Sequence, residues 1–138
     1  MILLSLTNKI GWDLVDDHSS HAQLIALLFY QASIQGPYFG QIGYWSRLAK
    51  MPNLEALAQY RAIANRTIVY LNDNLSDKQY ICGDTYIIAD IALFPWLRVH
   101  EHLGLSIENA KNLSHWLDLI RARAAMQKTL TFFDKISS

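Results

Sequence analysis

Apolar residues recur at three- and four-residue steps along most of the chain, and the strict alternation that is typical of strands is missing. In the clearest stretch, about six turns long, a single polar residue, Arg61, interrupts one apolar stripe. The stripe consists of Leu54, Leu57, Ala58, Ala64, Ile68, Leu71 and Leu75. The pattern predicts an all-α fold, a bundle of about five or six helices.

Two helices are predicted before that stretch. A short one covers residues 2–9 and stops near Gly11, and a longer one starts at Ser19 or Ser20, either of which can serve as its N-cap. Residues 22–30 are apolar on nearly every face, which predicts a central helix packed on several sides. The sequence QGPYFGQIG that follows is expected to bend or interrupt this helix, because proline lacks an N–H group.

Two more helical patterns follow Gly83. The first predicts one buried face, made of Ile88, Ile91, Ala92, Trp96, Val99 and Leu103. The second has the same spacing and continues through AAMQKTL. Its apolar positions are Leu113, Trp116, Leu117 and Ile120.

The first of these patterns contains two unusual residues, the lone carboxylate of Asp90 and Pro95. If the helix begins at Ile87, Asp90 occupies a position from which it can accept the N–H of the N-cap residue. We therefore predict that Asp90 caps the helix. The alternative role, a general base, lacks a His, Ser or Lys at useful spacing. Pro95 predicts a kink, because it cannot donate to the carbonyl of Ile91.

Length and composition limit the class of protein further. The chain has 138 residues, enough for one domain, and its formal net charge of zero gives no reason to expect nucleic acid or an anionic membrane as a partner. No apolar run is long enough to span a bilayer, and the start, MILLSLTNKIGWD, lacks a basic leader. With a single cysteine, Cys82, we predict a cytoplasmic protein.

The residues that could bind metal or act as nucleophiles do not form a site by their spacing. His100 and His102 are two residues apart and point in different directions on a helix, while His18 and His21 lack a third ligand. Cys82 has no neighbour in sequence that would lower its pKa, so we expect an inert thiol. The sequence therefore predicts no metal and no catalytic residue.

Three segments carry a family resemblance. YICGDTYIIADIALFPWL resembles the Gly-Asp loop and capping-box helix of the soluble glutathione transferases. LLFYQASIQGPYFGQIGYW and NLSHWLDLIRARAAMQKTL are similar to two further segments of the bacterial nu-class and fungal nitrogen-regulator-like branch. The resemblance covers residues 1 to about 131, in the family's order.

The chain departs from the family pattern at several positions. Ile87 replaces the Ser or Thr N-cap that would pair with Asp90, so half of the capping box is missing. Ala124 replaces a proline, so the last two helices are expected to run together. Tyr44 and Trp45 stand where His-Phe is usual.

The resemblance implies a second, thioredoxin-like domain that binds glutathione. Residues 1–10 resemble the end of the last helix of that domain, and residues 11–138 resemble the all-helical domain. The glutathione-binding residues of the family would lie upstream of this chain. We therefore expect no cofactor in this chain, glutathione in the complete family enzyme, and no transferase activity for the chain by itself.

The same resemblance indicates substrate-binding residues. Tyr30, Tyr38, Phe39 and Trp96 are predicted to form a wall of the hydrophobic substrate pocket, and Arg98 to reach an anionic group. The alternative is that the aromatic residues belong to the core or to an interface, and that Arg98 is a solvated charge.

Three hypotheses about function remain open. The chain is a remnant of a transferase, or one half of a split transferase or disulfide reductase completed by a thioredoxin-like chain in trans, or a non-enzymatic interaction module. Loss of the first domain would expose apolar residues, among them Trp12 and the aromatic residues near Tyr38, so we predict a homodimer.

Overall fold

The structure, a computed structural model, describes residues 5, 7, 9 and 18–137. In these residues it contains six α-helices, and its only β-type pairing is an isolated bridge between Tyr80 and Gly83. The helices are α1 (His18–Tyr30), α2 (Gly36–Gly43), α3 (Leu54–Asn74), α4 (Ile88–Leu97), α5 (Lys111–Arg121) and α6 (Ala124–Ser137). The prediction of an all-α bundle of five to six helices is confirmed.

Two π-helical turns join the first half of the bundle into one long helical rod. The first, Gln31–Gln35, connects α1 to α2, and the Gly36 N–H donates to the Gln31 carbonyl five residues earlier. The second, Tyr44–Leu48, ends the rod at Ala49. QGPYFGQIG therefore changes the hydrogen-bond register of the helix without breaking it, and Pro37 lies in the first turn of α2, where its missing N–H costs little.

The predictions for the beginning of the chain have mixed outcomes. Ser5, Thr7 and Lys9 are helical, while the rest of residues 1–10, Gly11 and Trp12 lie outside the described residues. Ser19 and Ser20 lie inside α1, so the prediction that either is its N-cap is wrong. The predicted central helix packed on several sides has one exposed face: Leu24 and Leu27 are buried, but Ala22, Ala26 and Phe29 are exposed.

The apolar stripe of α3 is buried only in its second half. Ala64, Ile68 and Leu71 have at most 4% of their surface exposed, whereas Leu54 is 74% exposed. The cause is the length of the helix: α5 begins beside Asn72 and covers the end of α3, but it does not extend to the first turns.

The predicted buried face is correct at Ile88 and Leu103 and wrong elsewhere, because Ile91, Ala92, Trp96 and Val99 are only half-buried. The other fully buried residues of α4 are Ala89, Asp90, Leu93, Phe94 and Leu97. Almost every residue of α4 is apolar, so the sequence pattern has no polar side that would fix the orientation.

Asp90 supplies that orientation. Its Oδ1 accepts hydrogen bonds from the Ile81 N–H at 3.0 Å and from the Trp116 Nε1–H at 2.7 Å, and its Oδ2 accepts one from the Ile87 N–H at 2.9 Å. The predicted capping role is thus present, with Ile87 as an N-cap residue that offers no side-chain acceptor. Burial raises the pKa of Asp90, and these hydrogen bonds act in the opposite direction.

α4 continues past Pro95 to Leu97, and the kink at Pro95 stays a prediction. The end of the chain differs from expectation. The helices α5 and α6 do not run together, because Ala122 and Arg123 separate them. Here the Gln127 side chain donates to the Arg121 carbonyl at 2.6 Å, and the Arg123 guanidinium lies 3.7 Å above the Tyr86 ring.

Helix α5 is capped from outside its own sequence. Its N-cap residue is Ala110, which has no side-chain acceptor, and Asn72 of α3 takes over this role. The Asn72 Oδ1 accepts hydrogen bonds from the backbone N–H groups of Asn112 at 3.1 Å and Leu113 at 3.3 Å. In return, the Asn112 side-chain Nδ2–H donates to the Asn72 backbone carbonyl at 3.1 Å. These bonds fix the position of α5 along α3.

Asp90→Ala is expected to lower the free energy of unfolding by about 3 kcal/mol or more, because it leaves three buried donors without an acceptor. Urea denaturation followed by circular dichroism measures the change. The matched control is Asp118→Ala, which removes an exposed carboxylate paired only with Arg121 and should cost less than about 1 kcal/mol. Equal losses in the two variants would contradict the role of Asp90.

Asn72→Ala is expected to lower the same free energy by about 1–2 kcal/mol through loss of the cap of α5. A local acceptor should compensate: the double variant Asn72→Ala with Ala110→Ser places a hydroxyl at the N-cap and is predicted to recover part of the loss. Failure of Ala110→Ser to recover any stability would show that Asn72 acts through packing.

Candidate functional site

The predicted pocket residue Tyr30 is held by α3. It ends α1, its ring centroid lies 4.9 Å from that of Tyr70, and its hydroxyl oxygen lies 3.0 Å from the Thr67 Oγ1. The Thr67 hydroxyl donates its proton to the Ile63 carbonyl at 3.2 Å. The Tyr30 hydroxyl is therefore the donor in its hydrogen bond to Thr67. Tyr30 is therefore a half-buried residue whose phenolic proton is already used.

Tyr38 lies two turns further along the same rod and also packs on α3. Its ring centroid is 5.8 Å from that of Tyr60, with an interplanar angle of 40°. The side chain is half-buried, and its hydroxyl has no hydrogen-bond partner among the described residues. Tyr38 is therefore a partly accessible ring that packs on α3.

Phe39 and Trp96 form a second group, between α2 and α4. Phe39 is fully buried and meets the Trp96 ring edge-on, with a centroid distance of 6.4 Å. The Trp96 indole lies on two glycines one turn apart, since a Cβ added at Gly36 or Gly40 would be 3.5 Å from its ring atoms. Phe39 is thus a core residue that supports Trp96, and the half-buried Trp96 presents the accessible edge.

Arg98 is separate from both groups. It is the exposed C-cap residue of α4, and its N–H donates to the Phe94 carbonyl at 2.9 Å. It follows Trp96 by two residues, and side chains at this spacing do not share a helix face. The five predicted residues therefore fall into three places. Tyr30 and Tyr38 pack against α3, Phe39 and Trp96 meet between α2 and α4, and Arg98 is exposed to solvent.

The sequence analysis did not identify the residues of α3 that complete the first group. Tyr60, Thr67 and Tyr70 contact Tyr30 or Tyr38. A signal was present, because these residues are seven and three positions apart and so lie on one side of a helix. The apolar stripe of α3 contains none of the three, so it gives no indication of this side of the helix.

A cleft of about 720 Å³ lies elsewhere, between the loop after α4 and α5. It is lined mainly by polar and charged side chains, among them His100, Glu101, Lys111, His115, Asp118 and Arg121. None of the five predicted residues contributes to it. The His100 Nδ1 donates to the Leu105 carbonyl at 2.9 Å, which fixes that ring.

The other candidate ligands and nucleophiles do not assemble into a site. No group of three or more metal-binding side chains occurs within residues 21–132, the part of the chain whose side chains are described. The half-buried Cys82 thiol has its pKa raised to about 12, chiefly by burial and further by the negative charge of Asp90. The described helices also include none with the length and hydropathy of a membrane span.

The structure defines an all-helical domain with two separate groups of aromatic residues, most of them half-buried. Residues 37–124 match the family described as "Glutathione S-transferase, C-terminal domain". The chain belongs to this family.

Two relatives and two solved structures show how far the likeness extends. Glutathione S-transferase 2 of Schizosaccharomyces pombe is 35% identical over 99 residues, which are 69% of this chain and 43% of the relative. Disulfide-bond oxidoreductase YfcG of Escherichia coli is 29% identical over 129 residues, 94% of this chain and 60% of the relative. The chain thus spans about half the length of the curated relatives it matches.

The structural likeness covers nearly the whole chain. A glutathione transferase family member from Pseudomonas fluorescens, solved with two glutathione molecules bound, superposes with a TM-score of 0.82 at 31% identity, over 92% of this chain and 59% of that one. Ure2p5 of Phanerochaete chrysosporium, cocrystallised with 1-(S-glutathionyl)-2,4-dinitrobenzene, gives 0.87 at 27% identity, over 99% and 68%.

The raised pKa of Cys82 predicts slow alkylation in the folded protein. A thiol with a pKa of about 12 instead of the ordinary 9.0 carries about a thousandfold less thiolate at pH 8, and the greater nucleophilicity of such a thiolate offsets only part of this. Iodoacetamide should therefore react roughly fiftyfold more slowly with the folded chain than with the chain in urea. The rate should keep rising with pH beyond 9, and a plateau near pH 9 would contradict the prediction.

Proposed function

We propose that this chain acts as the helical domain of a glutathione S-transferase-like protein and supplies the hydrophobic wall of the electrophile site. The observation that carries the proposal is the half-buried Trp96 ring, which lies on Gly36 and Gly40 of α2 in a domain of this family. Phe39 supports this ring, whereas Tyr38, on the other side of α2, packs on Tyr60 and would contact a ligand only from that side. An apolar electrophile would bind against the accessible part of Trp96.

The other predicted residues have supporting roles in this proposal. Phe39 fixes the tilt of Trp96, and Tyr30 fixes the rod against α3 through Thr67. Arg98 would contact an anionic group only if the ligand extended around the end of α4, because it does not share a face with Trp96.

Activation of the glutathione thiol is assigned to a thioredoxin-like domain, attached or separate. Lowering a thiol pKa requires a hydrogen-bond donor or a positive charge beside the sulfur. The phenolic proton of Tyr30 is already donated to Thr67 and is not available for this purpose. We accordingly propose that the chain by itself has no ordinary transferase activity and that glutathione is the cofactor of the completed protein only.

A second candidate function is one half of a glutathione-dependent disulfide reductase. It is favoured by one comparison: the relative named as a disulfide-bond oxidoreductase matches 94% of this chain, a larger share than the transferase from Schizosaccharomyces pombe does. A role as a non-enzymatic interaction module is the third candidate, and it requires only the exposed apolar surface.

That surface supports the proposal of a homodimer. Phe29 on α1 and Val69 and Tyr70 on α3 are 67%, 59% and 46% exposed. Ala22 and Ala26 extend the exposed strip along α1. Apolar area of this kind on the two helices that form one side of the bundle favours self-association. We also propose a cytoplasmic location, because a single half-buried thiol suits a reducing compartment.

The purified chain is expected to show no turnover of a generic aryl halide with glutathione above the uncatalysed rate, and no heat of glutathione binding in calorimetry. Turnover by the chain alone would overturn the assignment of thiol activation to another domain. An intact two-domain relative, assayed in parallel, controls for the reagents.

The aromatic wall is tested separately by binding of the aryl halide in the absence of glutathione. Trp96→Ala should weaken this binding by about tenfold, because it removes the ring against which the ligand would lie, whereas Tyr38→Ala, on the other side of α2, should change it less. Leu54→Ala, at a residue that is 74% exposed, serves as the matched control and should change nothing. Equal affinity in all three variants would exclude this surface as the binding wall.

A further inference from the structure

His100 is a buried side chain in the wall of the polar cleft between the loop after α4 and α5. It is only 7% exposed, and its Nδ1 donates to the Leu105 carbonyl at 2.9 Å. A carbonyl can only accept, so this bond places the proton of the neutral ring on Nδ1 and leaves Nε2 as an acceptor. The Nε2 has no hydrogen-bond partner among the described residues, and the fold does not seal it from solvent. A buried ring therefore presents a free acceptor to the cleft.

The loop around His100 holds the ring in place. The Leu105 N–H donates to the His100 carbonyl at 2.9 Å, so the two residues are joined by one backbone bond and one side-chain bond. Further along the loop, the Ala110 N–H donates to the Ile107 carbonyl at 2.8 Å. This wall of the cleft is thus formed without a ligand, which lowers the ordering cost of binding one.

The opposite wall is one face of α5. Lys111, His115, Asp118 and Arg121 follow one another at three- and four-residue steps, so they share a face about 15 Å long. The cleft holds about 720 Å³, a volume within the usual range of small-molecule sites.

The charges that line the cleft favour a cation. Asp118 and Arg121 pair with each other at 3.3 Å, and their charges cancel. Glu101, Glu108 and Lys111 remain, so with neutral histidines the cleft has one negative charge in excess. A ligand that fits the cleft therefore brings a positive charge and a hydrogen-bond donor.

We infer that this cleft binds a primary ammonium group, with the His100 Nε2 as the acceptor and Glu101 and Glu108 as the source of negative potential. An ammonium group has three N–H donors and one positive charge, so it satisfies both the free acceptor and the excess charge. The half-buried Ile107 offers an apolar contact to an attached alkyl group. The site contains none of the aromatic residues assigned above, and it does not depend on the proposed transferase function.

The ammonium group has two small-molecule sources, a simple amine and an amino acid. Ethylammonium and alanine are matched probes, because alanine is ethylammonium with a carboxylate on the carbon that bears the nitrogen. Lys111 repels the first probe and can pair with the carboxylate of the second, so Lys111→Gln should strengthen ethylammonium binding and weaken alanine binding, each by about threefold. Tighter binding of alanine than of ethylammonium to the unchanged chain identifies an amino acid ligand, and equal or weaker binding identifies a simple amine.

The experiment is a titration of the full ¹⁵N-labelled chain with ethylammonium chloride at pH 8, where an ordinary histidine is neutral. Sodium chloride keeps the ionic strength constant. Saturable shifts are expected for the His100 ring nitrogens and for the backbone amides of residues 105–108. Tetramethylammonium carries the same charge without an N–H group, so it should bind about tenfold more weakly.

His100→Asn separates the acceptor from the structural role of the ring. The asparagine amide keeps a donor for the Leu105 carbonyl while the Nε2 acceptor is lost, so ethylammonium binding should weaken by about tenfold. The matched control His102→Asn changes an exposed histidine that does not line the cleft, and it should leave the affinity unchanged.

Three results would overturn the inference: shifts that do not saturate, equal affinity for tetramethylammonium and ethylammonium, or the same affinity in His100→Asn as in His102→Asn. Circular dichroism shows whether each variant is folded. If His100→Asn does not fold, the comparison of the two cations on the unchanged chain decides the question.

Discussion

The arrangement of this domain depends on one buried carboxylate. Asp90 accepts three hydrogen bonds, from the loop at Ile81, from the N-cap residue Ile87 and from the indole of Trp116 on α5. Burial of a carboxylate is tolerated only when donors surround it, and here two donors are local while the third comes from a helix 26 residues away in sequence. The same contact therefore starts α4, sets its rotation and fixes α5 beside it. Asn72 adds a second fixed point, because it caps α5 from α3.

The part of the fold that could be predicted from the sequence is the part that local spacing determines. Asp90 lies three residues after Ile87, so its bond to the Ile87 N–H followed from the chain, whereas its bonds to Ile81 and Trp116 depend on tertiary packing. The wrong face of α4 has the same origin. In a helix where nearly every residue is apolar, periodicity carries no information on rotation, and the rotation comes from long-range partners. The separation of α5 from α6 likewise depends on Gln127 and on the contact of Arg123 with Tyr86, which no local pattern indicates.

The candidate site shows a similar division. The family resemblance indicated Tyr30, Tyr38, Phe39 and Trp96 as candidates. It did not indicate that Tyr38 and Phe39, which are adjacent in α2, contact different helices. Tyr38 packs on Tyr60 of α3, while Phe39 enters the core and supports Trp96. Adjacent residues of an α-helix are rotated by about 100°, which accounts for the different partners of Tyr38 and Phe39. The π-helical turn before α2 instead changes the angular relation between Tyr30, before it, and Tyr38, after it. A helical wheel drawn at the ordinary period would place Tyr30 and Tyr38 incorrectly relative to each other.

The stability of the core and the completeness of the binding surface are separate properties of this domain. The contacts of Asp90 and Asn72 lie entirely within the described residues, so they do not depend on any other polypeptide. The surface of α1 and α3 is different, since Phe29, Val69 and Tyr70 leave apolar area exposed. Exposed apolar area on the two helices that form one side of the bundle supports the proposal that the domain associates through that side.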